Sequence, residues 1–387
     1  MQLMPPARIK GRGAASNPEG RFETVRHQAE DDGWQSALLD ETAPRPRTEV
    51  SAECARSVIT RNDSPDIAFE QAMNPYRGCE HGCIYCFARP SHSYLNLSPG
   101  LDFETRLRAK TNLAEVLRAE LGKPGYVPKP INIGSNTDPY QPVEKKWRLT
   151  RAALEVLAEC RHPCTIVTKN ALVERDLDVL GPMARERLVQ VFVSVNSLDN
   201  RLAAKLEPRA SAPHRRLQAV QALTQAGVPT GVLVAPIIPA LNDRDMEAVL
   251  ERAAEAGANM AGYTVLRLPW ELKILFREWL AIHVPQRAEH VMSLVRQMNG
   301  GGGLRFGFPH PHARPGSVQR IAATALRSGL PQTRLRPRAN VATGLHALHA
   351  ATENISARRA VLMNAPALVS LRARPTNISR TSPANDA

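Results

Sequence analysis

Residues 74–87 read Asn74-Pro75-Tyr76-Arg77-Gly78-Cys79-Glu80-His81-Gly82-Cys83-Ile84-Tyr85-Cys86-Phe87, so three of the six cysteines in this 387-residue chain fall within eight positions. The spacing is Cys-x3-Cys-x2-Cys, and glycines at 78 and 82 let the backbone curl between the thiols. Three thiolates so placed can each take one iron of a cubane and leave the fourth iron without a protein ligand. The same thiolates completed by His81 or His92 would also satisfy a tetrahedral zinc ion, although no second cysteine pair exists to make the usual structural zinc site. A third reading packs them as small buried hydrophobes, which is how the scattered Cys54, Cys160 and Cys164 are read.

Outward from this stretch, from Ile67 to Asn299, short β-rich runs alternate with segments of helical period. The candidate strands are one just before Asn74, then Ile131 to Gly134, Thr165 to Lys169, Leu188 to Val195, Gly231 to Ala235 and Gly262 to Leu266. Between them Leu113, Val116, Leu117 and Leu121 share a helix face, as do Met246, Val249, Leu250 and Ala253, with Asn112 and Asp243 placed as N-caps. Six strands each followed by a helix predict an α/β fold, a parallel sheet with helices outside it, either an open barrel or a doubly wound sheet. Both collect ligands at the C-terminal ends of the strands, and the cysteine stretch follows the first of them.

Composition sets the outer limits. Hydrophobic residues at 43% and charged residues at 22% exclude a wholly disordered or collagenous chain, and the cysteines are too sparse for a disulfide scaffold. The longest apolar run, Gly231 to Leu241, has 11 residues and two prolines, short of the roughly 20 that a spanning helix needs. No membrane association is expected, and the polar N-terminus, without an apolar signal region, points to the cytoplasm. The net charge of +13 is uneven: residues 301–387 hold twelve arginines, no lysine and only Glu353 and Asp386, so the body is mildly basic. Three regions are expected: a mobile, irregular arm over 1–65 with one docked segment at Gly33 to Leu39, a core over 66–299, and a tail over 300–387. The tail reads as poorly ordered, and its loss of Lys, Tyr and nearly all acidic residues suggests a shifted reading frame or an unrelated replacement.

A vacant iron can chelate the amino and carboxylate groups of S-adenosylmethionine and deliver an electron to its sulfonium. The sequence resembles the radical S-adenosylmethionine (radical SAM) superfamily, whose cluster motif is this Cys-x3-Cys-x2-Cys with an aromatic, here Tyr85, before the third cysteine. Within it the chain is similar to the spore photoproduct lyase group and its bacterial relatives labelled "DNA repair photolyase", from about Met73 to Pro269. The strand-end motifs that carry the likeness are Thr137-Asp-Pro-Tyr-Gln-Pro142, Val167-Thr-Lys169, Val193-Ser-Val-Asn196, Leu206-Glu-Pro208 and Val234-Ala-Pro-Ile-Ile-Pro239. The resemblance implies a partial (βα)6 TIM-like barrel. It also implies a [4Fe-4S] cluster on Cys79, Cys83 and Cys86, S-adenosylmethionine as cofactor, and a flavodoxin- or ferredoxin-like one-electron donor. The implied reaction cleaves S-adenosylmethionine to a 5′-deoxyadenosyl radical, which abstracts hydrogen from a substrate. That substrate is open, with nucleic acid as a class that the analogy admits.

Candidate cofactor contacts follow the strand ends. Gly134-Ser135-Asn136 presents backbone and polar groups to the cofactor's amino group. Asp138 and Glu144 either orient substrate or cofactor or cap the helix that begins near Thr150. Lys169 offers a cation to a carboxylate, or is simply solvated. By family analogy Ser194 and Asn196 serve the methionine and ribose portions, and Pro236 to Pro239 packs on adenine. Glu207 is another candidate, with Arg209 and Arg216 near enough in sequence to pair with it. Two departures matter: where the lyase has a hydrogen-donating cysteine and a tyrosine, this chain has Asn136 and Phe87, which argues against dimer reversal by the lyase route. A zinc-stapled nucleic-acid-binding protein, its arginine tail making salt-sensitive contacts, is the alternative from a different class.

Overall fold

The computed structural model describes residues 8–22, 46–63, 69–298 and 369–370. Within them the strands are β1 (Glu49–Glu53), β2 (Ile59–Arg61), β3 (Gln71–Met73), β4 (Tyr76–Arg77), β5 (Arg106–Lys110), β6 (Ile131–Ile133), β7 (Cys164–Thr168), β8 (Val189–Ser194), β9 (Thr230–Ile237), β10 (Met260–Val265) and β11 (Val369–Ser370). The main sheet runs β11-β10-β9-β8-β7-β6-β3-β2. Its six inner strands, β3, β6, β7, β8, β9 and β10, pair in parallel and in chain order. A doubly wound sheet reverses its strand order part-way. Unbroken sequential order instead puts every crossover on one side and gives the partial (βα)6 barrel.

The five crossovers supply the helices Leu113–Leu121, Leu149–Glu159, Leu177–Arg185, Pro213–Gln225 and Met246–Glu255, and a sixth, Leu272–His283, follows β10. Their apolar stripes close on strands that are buried on both faces, as expected of parallel strands. Ile131, Ile133, Ile166, Val191, Val193, Val232 and Val234 pack with Leu117, Leu154, Leu157, Leu180, Leu223 and Val249 in one core, each such side chain contributing about 1.5–3 kcal/mol. A second core surrounds the helix Leu272–His283, where Leu275, Phe276 and Trp279 meet Ile84 and Tyr85 of the cysteine loop. No helix among the described residues is long and apolar enough to cross a membrane.

Three expectations change. In place of a mobile arm, residues 46–63 carry β1 and β2: β1 pairs with β5 in a separate three-stranded sheet, and β2 joins the main sheet before residue 66. Residues 8–22 also lie against the body, with Arg12, Gly13 and Ala14 buried. These contacts are strand ladders for β1 and β2 and side-chain bonds to Glu104 for residues 12–14, which no local period reveals. Asn112 stands at the start of its helix but makes no cap bond; its amide instead pairs with both backbone groups of Ala55. The segment Gly33 to Leu39 lies outside the described residues, as does the tail beyond 299 apart from β11, which pairs antiparallel with β10.

Candidate active site

Strand register sets the site. Met73, Ile133, Ile166 and Val191 are aligned across four strands, so the residues that follow them open on one rim. The cysteine loop leaves that rim after β3. Left-handed backbone at Gly78 and Gly82 (φ 77° and 66°) turns it twice, as the glycine spacing predicts. Cys79 N–H donates to Phe103 O (2.9 Å) and Ile84 N–H to Leu206 O (3.1 Å). The Thr137 hydroxyl and the Gln141 amide both donate to Gly78 O (2.7 and 3.3 Å), while Gln141 Oε1 accepts from Glu80 N–H (2.7 Å). The Thr137 to Pro142 motif is therefore a bracket for the loop.

Cys79 and Cys83 are buried, Cys86 is half-buried, and all three are free thiols. Burial first, then the Glu207 carboxylate and the other two sulfurs, push the Cys83 thiol up; burial and then Cys79 do the same at Cys86. The three sulfurs thus lie within one another's fields, where three bare thiolates would repel, and a cationic centre relieves that repulsion. Soft thiolate donors suit an iron–sulfur cluster. Among the described residues no three His, Cys, Asp or Glu side chains converge closely enough to hold a single metal ion. A cubane asks less, because each sulfur takes a different iron. Of the two histidines of the zinc reading, His92 is engaged elsewhere, its Nε2 meeting Arg106 O (2.9 Å). His81 lies between Asp138 (3.3 Å) and Asn170 (3.2 Å). Burial would lower the His81 pKa, but Asp138 and then the neighbouring Cys79 sulfur outweigh it and hold it up at about 9.

Asp138 is fully used within the fold. It accepts from the Thr168 hydroxyl (2.7 Å), Tyr140 N–H (2.9 Å) and Lys169 N–H (2.7 Å). Burial opposes its charge, yet His81 and these donors bring its pKa down to about 2. It therefore welds the end of β6 to β7 and to the cysteine loop, leaving no free oxygen for a cofactor. Glu144 takes the capping alternative, accepting from Thr150 N–H (3.1 Å) and Arg151 N–H (3.3 Å) as well as from Tyr76 and Arg175. Ser135 and Asn136 are held by Asn74, whose amide bonds the Ser135 hydroxyl (2.9 Å) and the Asn136 N–H (2.8 Å); the Asn136 side chain is exposed.

The remaining candidates come together. Lys169, at the end of β7, extends into the fields of Cys83, Glu207 and Asp138, which outweigh burial and raise its pKa. Glu207 accepts from the Tyr85 hydroxyl and from Arg216 on opposite oxygens. Burial would raise its pKa, but Arg216 and Lys169 hold it below the ordinary range. The two arginines expected near Glu207 separate: Arg216 pairs with it, whereas Arg209 pairs with Glu80 (2.8 Å). Asn196 reaches Tyr85 Oη (3.4 Å) through its amide nitrogen, and its Oδ1 is buried without a hydrogen-bond partner. Ser194 is buried beside it, its carbonyl accepting from Arg216 (2.9 Å). Sequence reasoning missed Asn242, which holds the loop after β8 through Asn196 O (2.7 Å) and also bonds Pro236 O (3.0 Å). It missed Asn74 too, although that residue's place directly after the first strand was a signal. Cys160 and Cys164 lie at the helix end and the start of β7, the end opposite the rim. Phe87 is 62% exposed.

The family model of the radical SAM superfamily matches residues 73–253. An uncharacterized protein of Mycobacterium tuberculosis is 37% identical over 233 residues, covering 60% of this chain and 68% of that protein. The chain belongs to the radical SAM superfamily. A second relative in sequence, an uncharacterized protein of Methanocaldococcus jannaschii, is 28% identical over 171 residues, covering 44% of this chain and 61% of that protein. Among solved structures, spore photoproduct lyase complexed with dinucleoside spore photoproduct aligns with TM-score 0.46 and 18% identity. That alignment covers 60% of this chain and 66% of the lyase chain. The matched region thus runs from the last residue of β3 through β9, and takes in the cysteine loop, Lys169, Asn196 and Glu207.

Proposed function

We propose that this radical SAM chain is an enzyme in which Cys79, Cys83 and Cys86 hold a [4Fe-4S] cluster and the rim around them holds S-adenosylmethionine. The observation that carries the reading is three free thiols in one loop, electrostatically coupled to one another and to the Lys169 ammonium, with the unpartnered Asn196 Oδ1 on the same rim. When bound, the cluster and cofactor supply one-electron cleavage of S-adenosylmethionine to methionine and a 5′-deoxyadenosyl radical, which takes a hydrogen atom from a substrate. Lys169 suits the cofactor's carboxylate, and Asn196 Oδ1 can accept from its amino group or a ribose hydroxyl. Glu207 acts one step back: bound to Arg216 and Tyr85, it fixes the ring beside Asn196 and keeps negative charge near Lys169. Phe87 and the exposed Asn136 offer no readily donated hydrogen atom, which favours a substrate handled without a protein donor. Nucleic acid is the class to try first, with a flavodoxin- or ferredoxin-type protein as electron source. Six free cysteines agree with a reducing cytoplasm.

Anaerobic reconstitution with iron and sulfide tests the reading. The expected result is a brown protein with about four irons that cleaves S-adenosylmethionine after reduction, and a Cys83→Ala variant that does neither. A colourless wild type with a single zinc, or a Cys83→Ala variant that keeps cluster and cleavage, would overturn it. Deuterium carried from candidate DNA, RNA or peptide into 5′-deoxyadenosine then identifies the substrate class.

A further inference from the structure

The cysteine loop is gripped by a segment that contributes no strand or helix to the barrel. Glu104, in the short helix Asp102–Thr105, is fully buried. Its carboxylate accepts from Gly13 N–H (3.0 Å), Ala14 N–H (2.9 Å) and the guanidinium of Arg89. Arg89, also fully buried, donates to four carbonyls: Cys83 O (2.9 Å), Gly82 O (3.2 Å), Pro99 O (3.2 Å) and Gly100 O (2.9 Å). Two side chains thus connect residues 13 and 14 to the backbone of a proposed cluster ligand.

A parallel route runs through Arg12, which donates to Glu104 O (2.9 Å), Pro46 O (2.7 Å) and the Thr48 hydroxyl (3.0 Å). Thr48 donates to Glu80 (2.6 Å), the residue after Cys79. The approach is too close for side chains: a Cβ on Gly13 would overlap the Gly82 carbonyl oxygen, and one on Gly82 would meet Glu104 Oε2 at 2.6 Å. Removing an ion pair from water is costly, and apolar packing of similar volume is often no less stable. Apolar contacts cannot aim carbonyls, however, whereas a planar guanidinium with directed N–H groups can.

We propose that residues 12–14 together with Glu104 and Arg89 form a clamp that holds the cysteine loop in its ligand-ready shape before any metal arrives, with Glu104 as positioning residue. The inference rests on the reading of Cys79, Cys83 and Cys86 as cluster ligands, but its first test does not need the cluster. In the metal-free full-length chain, Gly13→Ala should raise amide exchange over residues 79–89 and iodoacetamide labelling of the three cysteines roughly tenfold, with β8 unchanged. Glu104→Gln should act in the same direction. After reconstitution it should also move the cluster's midpoint potential upward, because the Arg89 charge loses its counter-ion; a merely structural Glu104 would leave the potential in place. Unchanged exchange and labelling in both variants would overturn the clamp. So would loss of protection throughout β8, since the segment would then belong to the core rather than to the loop. A wild type that takes up no iron, while Gly13→Ala still loosens residues 79–89, would count against the cluster alone.

Discussion

Two groups of identical composition, Tyr76–Glu144–Arg175 and Tyr85–Glu207–Arg216, are built alike: a phenol and a guanidinium bind opposite oxygens of one buried carboxylate. Their surroundings differ. Glu144 also receives the first amides of the helix Leu149–Glu159, and Arg175 is partly exposed and shared with Asp176. Arg216 is buried, its other donors go to Ser194 O and Ser211 O, and the Glu207 charge reaches Cys83 and Lys169. The same three residue types thus make a helix cap in one place and a wall of the candidate active site in the other. Chemistry in the list of residues does not assign a role; position on the rim does.

The largest effect should come from the carboxylates. Glu207→Ala leaves a buried guanidinium without its counter-charge, so urea unfolding should show a loss of about 3–5 kcal/mol, accompanied by loss of S-adenosylmethionine binding. Glu144→Ala strands a partly exposed arginine and unbonds a helix start. It should cost roughly 1–3 kcal/mol and leave cofactor affinity, measured by calorimetry on the reconstituted protein, as in wild type. Equal effects on binding would break the comparison.

The phenols sharpen it. Tyr85→Phe and Tyr76→Phe each remove a hydrogen bond to a charged acceptor, worth about 1.5–3 kcal/mol of stability, but only the first should weaken cofactor binding. Lys169 separates binding from stability more than the carboxylates do. Its ammonium makes no hydrogen bond or ion pair among the described residues, although it lies in the fields of Cys83, Glu207 and Asp138. Lys169→Met should therefore destabilise the fold less than Glu207→Ala does, while lowering S-adenosylmethionine affinity roughly tenfold, about 1.4 kcal/mol.

The smallest effect is an acid-side slope. Glu207 is held below its unfolded pKa of 4.5, so between the two values the unfolded chain binds the extra proton. The stability it contributes is whole above pH 4.5 and is lost as pH falls through the folded pKa. Glu207→Gln should flatten that part of the unfolding-versus-pH curve; an unchanged slope would mean the carboxylate is not charge-coupled to Arg216 and Lys169.

All six inner strands were legible from their β-rich runs, and the three sulfurs from their spacing. Both are local signals, set by the pleat of a strand and by how few residues a loop needs to bring thiols together. Lys169 and Asn196 were legible as candidates because each follows a strand end, and Glu207 through the Leu206-Glu-Pro208 motif, although it closes the helix Asn200–Leu206. What each does was not: Asp138, expected to be free for cofactor or for a cap, is consumed by Thr168, Tyr140, Lys169 and His81, and Arg209 pairs with Glu80.

By itself, then, the amino-acid order determined an α/β chain of repeating strand–helix units with a three-thiol loop at the ligand-binding end. Only the tertiary structure decided between a barrel and a doubly wound sheet, since strand neighbours are chosen by packing rather than by period. It alone joined Tyr85 to Glu207 across 122 positions and Gly13 to Glu104 across 91. The physical reason is one of range. Backbone periodicity is written within a few residues, whereas a buried charge must find whichever partner the fold brings to it, at any distance along the chain.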